Sequence, residues 1–236
     1  MEEDNAWKPK LSSVWSKRPH NGEKALHVVR VNDYWPELCQ YTIPNLRYYA
    51  EKIGAKFVEI TERKYPDFPP TYEKLQVHEL GMENEWNILI DADFLIHPMM
   101  PDITVVLPPD TVGIDYGYHA STYLDTSDKY FLRDGRNRGI ATGFVVTNNL
   151  CHDLWTPLEH SWDEAQQCLK RKHIVDEFCI GRNLARFGLK YVGAFQEQPE
   201  ERKRWLVHLG AEEKTEEERQ EIVKTAERMV REWGQI

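Results

Sequence analysis

Cysteine is scarce and unpatterned in this chain of 236 residues: Cys39, Cys151, Cys168 and Cys179 stand apart, with no C-x-x-C pair among them. That scatter excludes a dense disulfide framework and a zinc knuckle, and it predicts reduced thiols in a cytoplasmic protein. Basic charge is in deficit. Thirty Lys and Arg face 39 Asp and Glu, a net charge of −9, which excludes a globally basic nucleic-acid binder. Long apolar runs are missing too: the longest stretch, residues 86–96, is broken by Asp91 and Asp93. It falls far short of the ~20 apolar residues that a bilayer span needs, so no transmembrane segment is expected. Residues 1–10 (MEEDNAWKPK) are acidic and polar, with no basic segment leading into an apolar one, so no cleaved secretion signal is expected. Internal repeats and low-complexity blocks are absent, and no glycine-rich phosphate loop occurs near residues 29–34.

What the chain does hold is enough large apolar side chain for a substantial core: 41% of its residues are hydrophobic, with eight Trp, eleven Tyr and eight Phe. Its length favours one domain, with a terminal appendage. Residues 1–23 read as a polar arm, residues 24–214 as the main folded unit and residues 215–236 as an amphipathic helix packed on it.

Within the central unit the pattern alternates. Residues 25–31 (ALHVVRV) form a β-branched run, and residues 36–54 follow with Ile43, Leu46, Ala50 and Ile53 at helical spacing and Gly54 as a stop. Residues 56–60 read as a second strand, 71–81 as a helix and 86–90 (WNILI) as a third strand. Strand, helix, strand, helix, strand predicts a parallel sheet with helices on its faces. Further strands are expected near 112–115, 140–147 and 189–192, with helical segments over 149–172 and 174–188. The second half is therefore mixed rather than regularly βαβ. In the charged terminal stretch 212–233, Ile222, Ala226, Met229, Val230 and Trp233 share one helical face, which predicts a docked helix.

The segment that carries chemistry is residues 87–97, NILIDADFLIH, in which an apolar strand delivers Asp91 and Asp93. In an open parallel sheet, ligands bind beyond the carboxyl ends of the strands. Residues i and i+2 of a strand share a face, so both carboxylates are expected to enter one site. Two such groups repel unless a divalent cation takes their oxygens as ligands. Asn32, Asp33 and Tyr34 follow the first strand, where such folds approach a nucleotide base or simply turn into the next helix.

With those residues in place, the chain resembles the glycosyltransferases of GT-A fold, and is similar to the glycogenin and lipopolysaccharide galactosyltransferase group (family 8). The resemblance spans roughly residues 26–214. It implies an α/β, Rossmann-like, mostly parallel sheet flanked by helices, and transfer of a sugar from a nucleotide-sugar donor, most simply a UDP-sugar. It also implies a bound Mn²⁺ or Mg²⁺. The strand-terminal D-x-D would be Asp91-Ala92-Asp93, with Asp93 a direct metal ligand and Asp91 shared between metal and donor. The family's H-x-x-G-x-x-K motif is matched by His208 as a metal ligand and Lys214 on the diphosphate, although Gly210 arrives one residue early. Lys74 resembles the lysine on the helix before the D-x-D strand. Ala141-Thr142-Gly143-Phe144 resembles the N-x-G strand of the sugar pocket, with Gly143 matched and the Asn replaced by Ala141. Asp176 and Glu177 resemble the acidic pair beneath the donor sugar. The resemblance leans towards retention of anomeric configuration.

The residue types suit that chemistry. Departure of a diphosphate leaves positive charge on the anomeric carbon and negative charge on the leaving group, so a site needs a cation at one end and a carboxylate at the other. Mn²⁺ accepts carboxylate oxygen and imidazole alike, and Arg136 and Arg138 are further candidates for the diphosphate. A haloacid-dehalogenase-like phosphatase also places a D-x-D after an apolar strand, but usually its first; a non-catalytic nucleotide-sugar binding module is the other alternative. The acceptor is open to a glycan, a lipid-linked saccharide, a protein or a nucleic acid. Residues 170–173 (KRKH) and 202–204 (RKR) are local basic clusters that a polyanionic acceptor could use.

Overall fold

The computed structural model describes residues 21–119, 138–193, 205–210 and 214–235. Residues 1–20, Arg136 and the basic cluster 202–204 lie outside them. Three β-branched or aliphatic runs pair side by side: β1 (Lys24–Val29) lies between β2 (Ala55–Ile60) and β3 (Trp86–Asp91), parallel to both. On the far side of β3 come β8 (Phe144–Asn148), β5 (Thr111–Ile114) and β9 (Lys190–Gly193), giving the order β2-β1-β3-β8-β5-β9. Only β8 runs against the rest, since it is antiparallel to both β3 and β5 while β5 and β9 are parallel. The sheet is therefore mixed and mostly parallel, as expected, and the carboxyl ends of β1, β3 and β5 share one edge with the start of β8.

Strand alternation sorts the core into two layers. Leu26, Val28, Ile88, Ile90, Phe144 and Val146 face helix α1 (Pro36–Lys52), whose Leu46 and Ala50, with Ile53 just past its end, complete that layer. Leu89, Val112, Ile114 and Val145 face the other way, against Trp155 and helix α4 (Val175–Arg186). The short helices α2 (Val77–Leu80) and α3 (Trp162–Ala165) lie between these elements in the chain.

Three expectations change. The helix expected over 71–81 is a 3-10 turn, Pro70–Gln76, followed by the single α-turn of α2. Its geometry is set by Glu73, fully buried, whose carboxylate accepts from Arg63 Nε, the backbone N–H groups of Lys64 and Tyr65, and Gln76 Nε2. The helix expected over 149–172 breaks into a 3-10 turn (Asn149–Trp155), then α3 behind a Ser161–Glu164 capping box, then another 3-10 turn. Thr156 is extended, as the residue before Pro157 should be, and it ends the first piece. The single strand expected over 140–147 is two: β7 (Arg138–Ile140) pairs with β6 (Gly117–His119) in a separate ribbon, and β8 joins the main sheet.

A second two-stranded patch, not expected from the sequence, pairs β4 (Phe94–Ile96) antiparallel with β10 (Leu206–His208). Over it lies the terminal helix α5 (Glu216–Glu232), started by a Thr215–Glu218 capping box. Ala226 and Val230 of α5 are buried against Trp35, Leu38 and Leu95, with Ile222, Met229 and Trp233 at the margin, so the face read from the sequence is the docked one. Among the described residues, no helix is long and apolar enough to cross a membrane.

Candidate active site

The acidic pair arrives by a different route from the one the strand pattern suggests. Asp91 is the last residue of β3, but Ala92 and Asp93 form the turn into β4, so the two carboxylates are gathered by a turn rather than by sharing a strand face. That turn is held from three sides. Thr42 Oγ1 of α1 donates to Ala92 O at 2.6 Å, Leu209 N donates to Asp93 O at 2.9 Å, and Asp91 N donates to Gly143 O at 2.9 Å. Gly143 lies where no side chain fits: a Cβ there would come within 2.8 Å of the Phe94 ring and 3.4 Å of Asp91 Oδ2. This close approach also explains why the expected strand over 140–147 is interrupted at Ala141–Gly143.

Around the pair, five further side chains close a network. Lys74, 5% exposed, sits between two carboxylates, with Nζ 2.7 Å from Asp91 Oδ1 and 2.9 Å from Asp176 Oδ2. Thr142 Oγ1 donates to the same Asp176 oxygen at 2.5 Å and lies 3.2 Å from Lys74 Nζ. On the other side, Asp93 Oδ2 accepts from the Tyr34 hydroxyl at 3.1 Å and is 3.4 Å from His208 Nε2. The β4–β10 register puts His208 directly opposite Phe94, and their rings stack with centroids 4.5 Å apart. Gly210 keeps its backbone close to this imidazole, since a Cβ would stand 3.1 Å from Nε2.

Electrostatics distinguish the members. Burial pushes Asp91 up to about 6, against the pull of the Lys74 ammonium and with the push of Asp93. Burial pushes Asp93 up as well, but hydrogen bonds and charge from His208 and the Tyr34 hydroxyl outweigh it, and the carboxyl is held below its ordinary value. For Lys74, burial opposes the charge, yet Asp176 and Asp91 reverse that and raise it above the usual lysine range. The Tyr34 phenol is pushed up, by burial first and then by the Asp93 charge.

Two oxygens of this network, Asp93 Oδ1 and Asp176 Oδ1, are buried without a hydrogen-bond partner. Each is a lone-pair donor withdrawn from water, an arrangement that costs stability unless a ligand uses it. Among the described residues, no three His, Cys, Asp or Glu side chains are set to close on one ion. The donor types nevertheless fit a hard or borderline divalent cation, through the free oxygen of Asp93 with Asp91 and the His208 imidazole nearby.

Of the residues singled out in the sequence, Tyr34, Lys74, Asp91, Asp93, Gly143, Asp176 and His208 are thus brought together. Asn32 and Asp33 are exposed in the loop leaving β1, both with positive φ (56° and 50°), as is Trp35 at 36°. Three left-handed non-glycine residues in four positions is a strained turn, and it is the turn that presents Tyr34. Glu177 is half-buried beside Asp176 on α4, but the contacts with Lys74 and Thr142 are made by Asp176. Lys214 is exposed just before the cap of α5. Arg138 falls in β7. Sequence reasoning missed Thr142 as a partner of Lys74 and Asp176, and Thr42 and Asn45 as supports. A threonine in a short apolar segment and polar residues on a helix carry no signal of their own.

No protein-family model matches the chain, and no curated protein matches it in sequence. Solved structures do resemble it. A glycosyltransferase involved in the glycosylation of the major capsid of PBCV-1 is 12% identical over 86% of this chain and 99% of its own, with a TM-score of 0.49. Galactosyltransferase LgtC, in complex with donor and acceptor sugar analogues, is 13% identical over 71% of this chain and 73% of its own, with a TM-score of 0.43. The apo form of the glycosyltransferase GlyE from Streptococcus pneumoniae is 11% identical over 90% of this chain and 63% of its own, also at 0.43.

Proposed function

We propose that the protein is a metal-dependent glycosyltransferase of the cytoplasm that moves a sugar from a nucleotide-sugar donor, a UDP-sugar, to a hydroxyl-bearing acceptor, with residues 24–214 as the catalytic unit. The observation that carries the reading is the buried network at the strand edge, in which Asp91 and Asp176 share Lys74, Asp93 is held by Tyr34 and His208, and one oxygen each of Asp93 and Asp176 is left unpartnered. Four free thiols fit a reducing compartment.

In this reading Asp91 and Asp93, with His208, hold Mn²⁺ or Mg²⁺, which when bound neutralises charge on the departing diphosphate. Tyr34 and Asn32 flank the nucleotide from the β1 turn, and Lys214 meets the diphosphate from the head of α5. Asp176 offers its free oxygen to the positive charge that develops on the sugar, and Gly143 lets Phe94 and Asp91 pack against the backbone beside the donor. Lys74 fixes Asp91 and Asp176 relative to one another, so that the cation end and the sugar end of the site keep their spacing. Glu177 is the second carboxylate available at the sugar, and retention is the stereochemical outcome assigned.

Calorimetric titration with UDP, GDP, ADP and CDP, with Mn²⁺ and then with chelator, tests the reading. Metal-dependent binding of UDP is expected. Absence of binding by all four nucleotides would overturn it.

A further inference from the structure

Away from the acidic network, the end of α5 and one side of α1 leave a groove of about 360 Å³, bounded by Pro98. Its volume lies in the range of small-molecule sites. None of the residues lining it is charged, in a chain where 29% of residues are. What lines it instead are three rings, Tyr41, Tyr48 and Trp233, and three amides, Gln40, Asn45 and Gln235. The Asn45 amide is already committed: Oδ1 accepts from Ile96 N, and Nδ2 donates to Ile96 O and to Gln235 Oε1. Gln235 is left with a spare donor, because its Nε2 is buried without a hydrogen-bond partner.

This chemistry selects among occupants. A phosphate or nucleotide needs a cation, and no cation lines the groove. A lipid chain gains nothing from the amides and would leave the buried Gln235 Nε2 unsatisfied. A protein partner of ordinary affinity needs an interface on the order of 1,000 Å² or more, beyond what such a groove offers. A neutral saccharide matches on each count, since its hydroxyls both donate and accept as amides do, and its C–H faces pack on aromatic rings.

We propose that this groove is a binding site for a neutral saccharide, separate from the transfer site. Its position gives it a use that rests on the proposed function: Pro98 is five residues beyond Asp93, at most about 17 Å along an extended chain, so a glycan acceptor held in the groove stays beside the site where it is extended. Binding itself does not depend on that use.

The test is titration of the full chain, in chelator, with a panel of neutral di- to tetrasaccharides built from glucose, galactose, mannose and N-acetylglucosamine. Calorimetry and the indole N–H signal of Trp233 in NMR spectra are the readouts. At least one member should bind at millimolar concentration or below and shift that signal. Y48A, which alters a half-exposed side chain and should leave the thermal midpoint unchanged, should weaken binding about tenfold. Q235A should weaken it as well, while D93N should bind as the wild type does. Failure of every saccharide, or binding lost in D93N but kept in Y48A, would overturn the proposal. So would concentration-dependent self-association abolished by Y48A, which would give the groove to a second copy of the chain. Saccharide binding without metal-dependent nucleotide binding would leave the groove standing and remove the transferase reading, and the reverse result would do the opposite.

Discussion

At Asp93 one carboxylate is divided between two tasks: Oδ2 is taken by Tyr34 and His208, and the buried Oδ1 is taken by neither. Replacing it with Asn keeps the shape and removes the charge. D93N is therefore expected to lose Mn²⁺ binding and metal-dependent turnover by at least about a hundredfold while its thermal midpoint moves by only a few degrees. Turnover at the wild-type level would remove Asp93 from the site. Asp176 and Glu177 are adjacent on α4 but not equivalent, because it is Asp176 that is buried on Lys74 and Thr142. D176N should lower turnover by two orders of magnitude or more, as losing a group that meets developing charge does, whereas E177Q should cost less than about tenfold. Equal and small losses in steady-state kinetics would move the catalytic group elsewhere. The acidic residues were legible in the sequence because a carboxylate pair ending an apolar strand is a recognisable conflict. Their arrangement was not. Nothing in NILIDADFLIH says that Asp93 leaves the strand, since that is decided by Thr42, Asn45 and Leu209, which are distant in the chain.

Helix α1 explains why that turn is stable. Thr42, Asn45, Tyr49 and Lys52, spaced three or four apart, form a polar stripe that bonds backbone groups of Ala92, Ile96, Pro101, and Pro98 with Met100 in turn. Asn45 behaves as a short length of strand, accepting from Ile96 N at 2.7 Å and donating to Ile96 O at 2.8 Å, and so satisfies the edge of β4 that β10 does not cover. N45A leaves both buried backbone groups unpaired. It should cost about 2–4 kcal/mol, read as a lower urea midpoint, and should weaken Mn²⁺ binding in proportion as the turn loosens. An unchanged midpoint would mean that β4 is held elsewhere. The apolar residues of α1 were readable from their spacing, but its polar stripe carries no signal, because polar residues at helical spacing look the same whether they meet water or a neighbouring strand. β4 and β10 escaped notice for a related reason: three residues are too few to establish a period of two.

Across the whole molecule, α5 unites elements far apart in sequence. Its Ala226 and Val230 pack on Trp35 and Leu95, and its Arg219 guanidinium lies 4.6 Å from the Trp35 ring, so one helix braces both the loop that presents Tyr34 and the strand that follows Asp93. The mostly parallel sheet and the docked face of α5 follow from hydrophobic pattern, which is why both could be foreseen, whereas the break in the chain before β8 depends on a close approach at Gly143 that no pattern encodes. Burial within this assembly also sets how stability responds to acid. His27, fully buried in β1 with Nε2 2.9 Å from Asn87 Oδ1, is pushed by burial from 6.5 down to about 4. Between those values the unfolded chain binds a proton that the folded one refuses, so stability falls with pH and levels off below 4, by roughly 3 kcal/mol in all. His78 is shifted the same way, by burial first, and adds to the loss. Asp91 opposes them: raised from 3.8 to about 6, it takes up its proton earlier when folded, so its contribution is largest in acid and is lost as pH rises through 6. In chelator the two effects should largely cancel, and urea unfolding at pH 7 and pH 5 should give similar stabilities for the wild type. D91N should uncover the histidine term and become less stable at pH 5 than at pH 7, while H27Q should uncover the Asp91 term and become more stable. Identical pH dependence in the wild type and D91N would show that Asp91 is an ordinary exposed carboxylate, and that the network around Lys74 does not withdraw it from water.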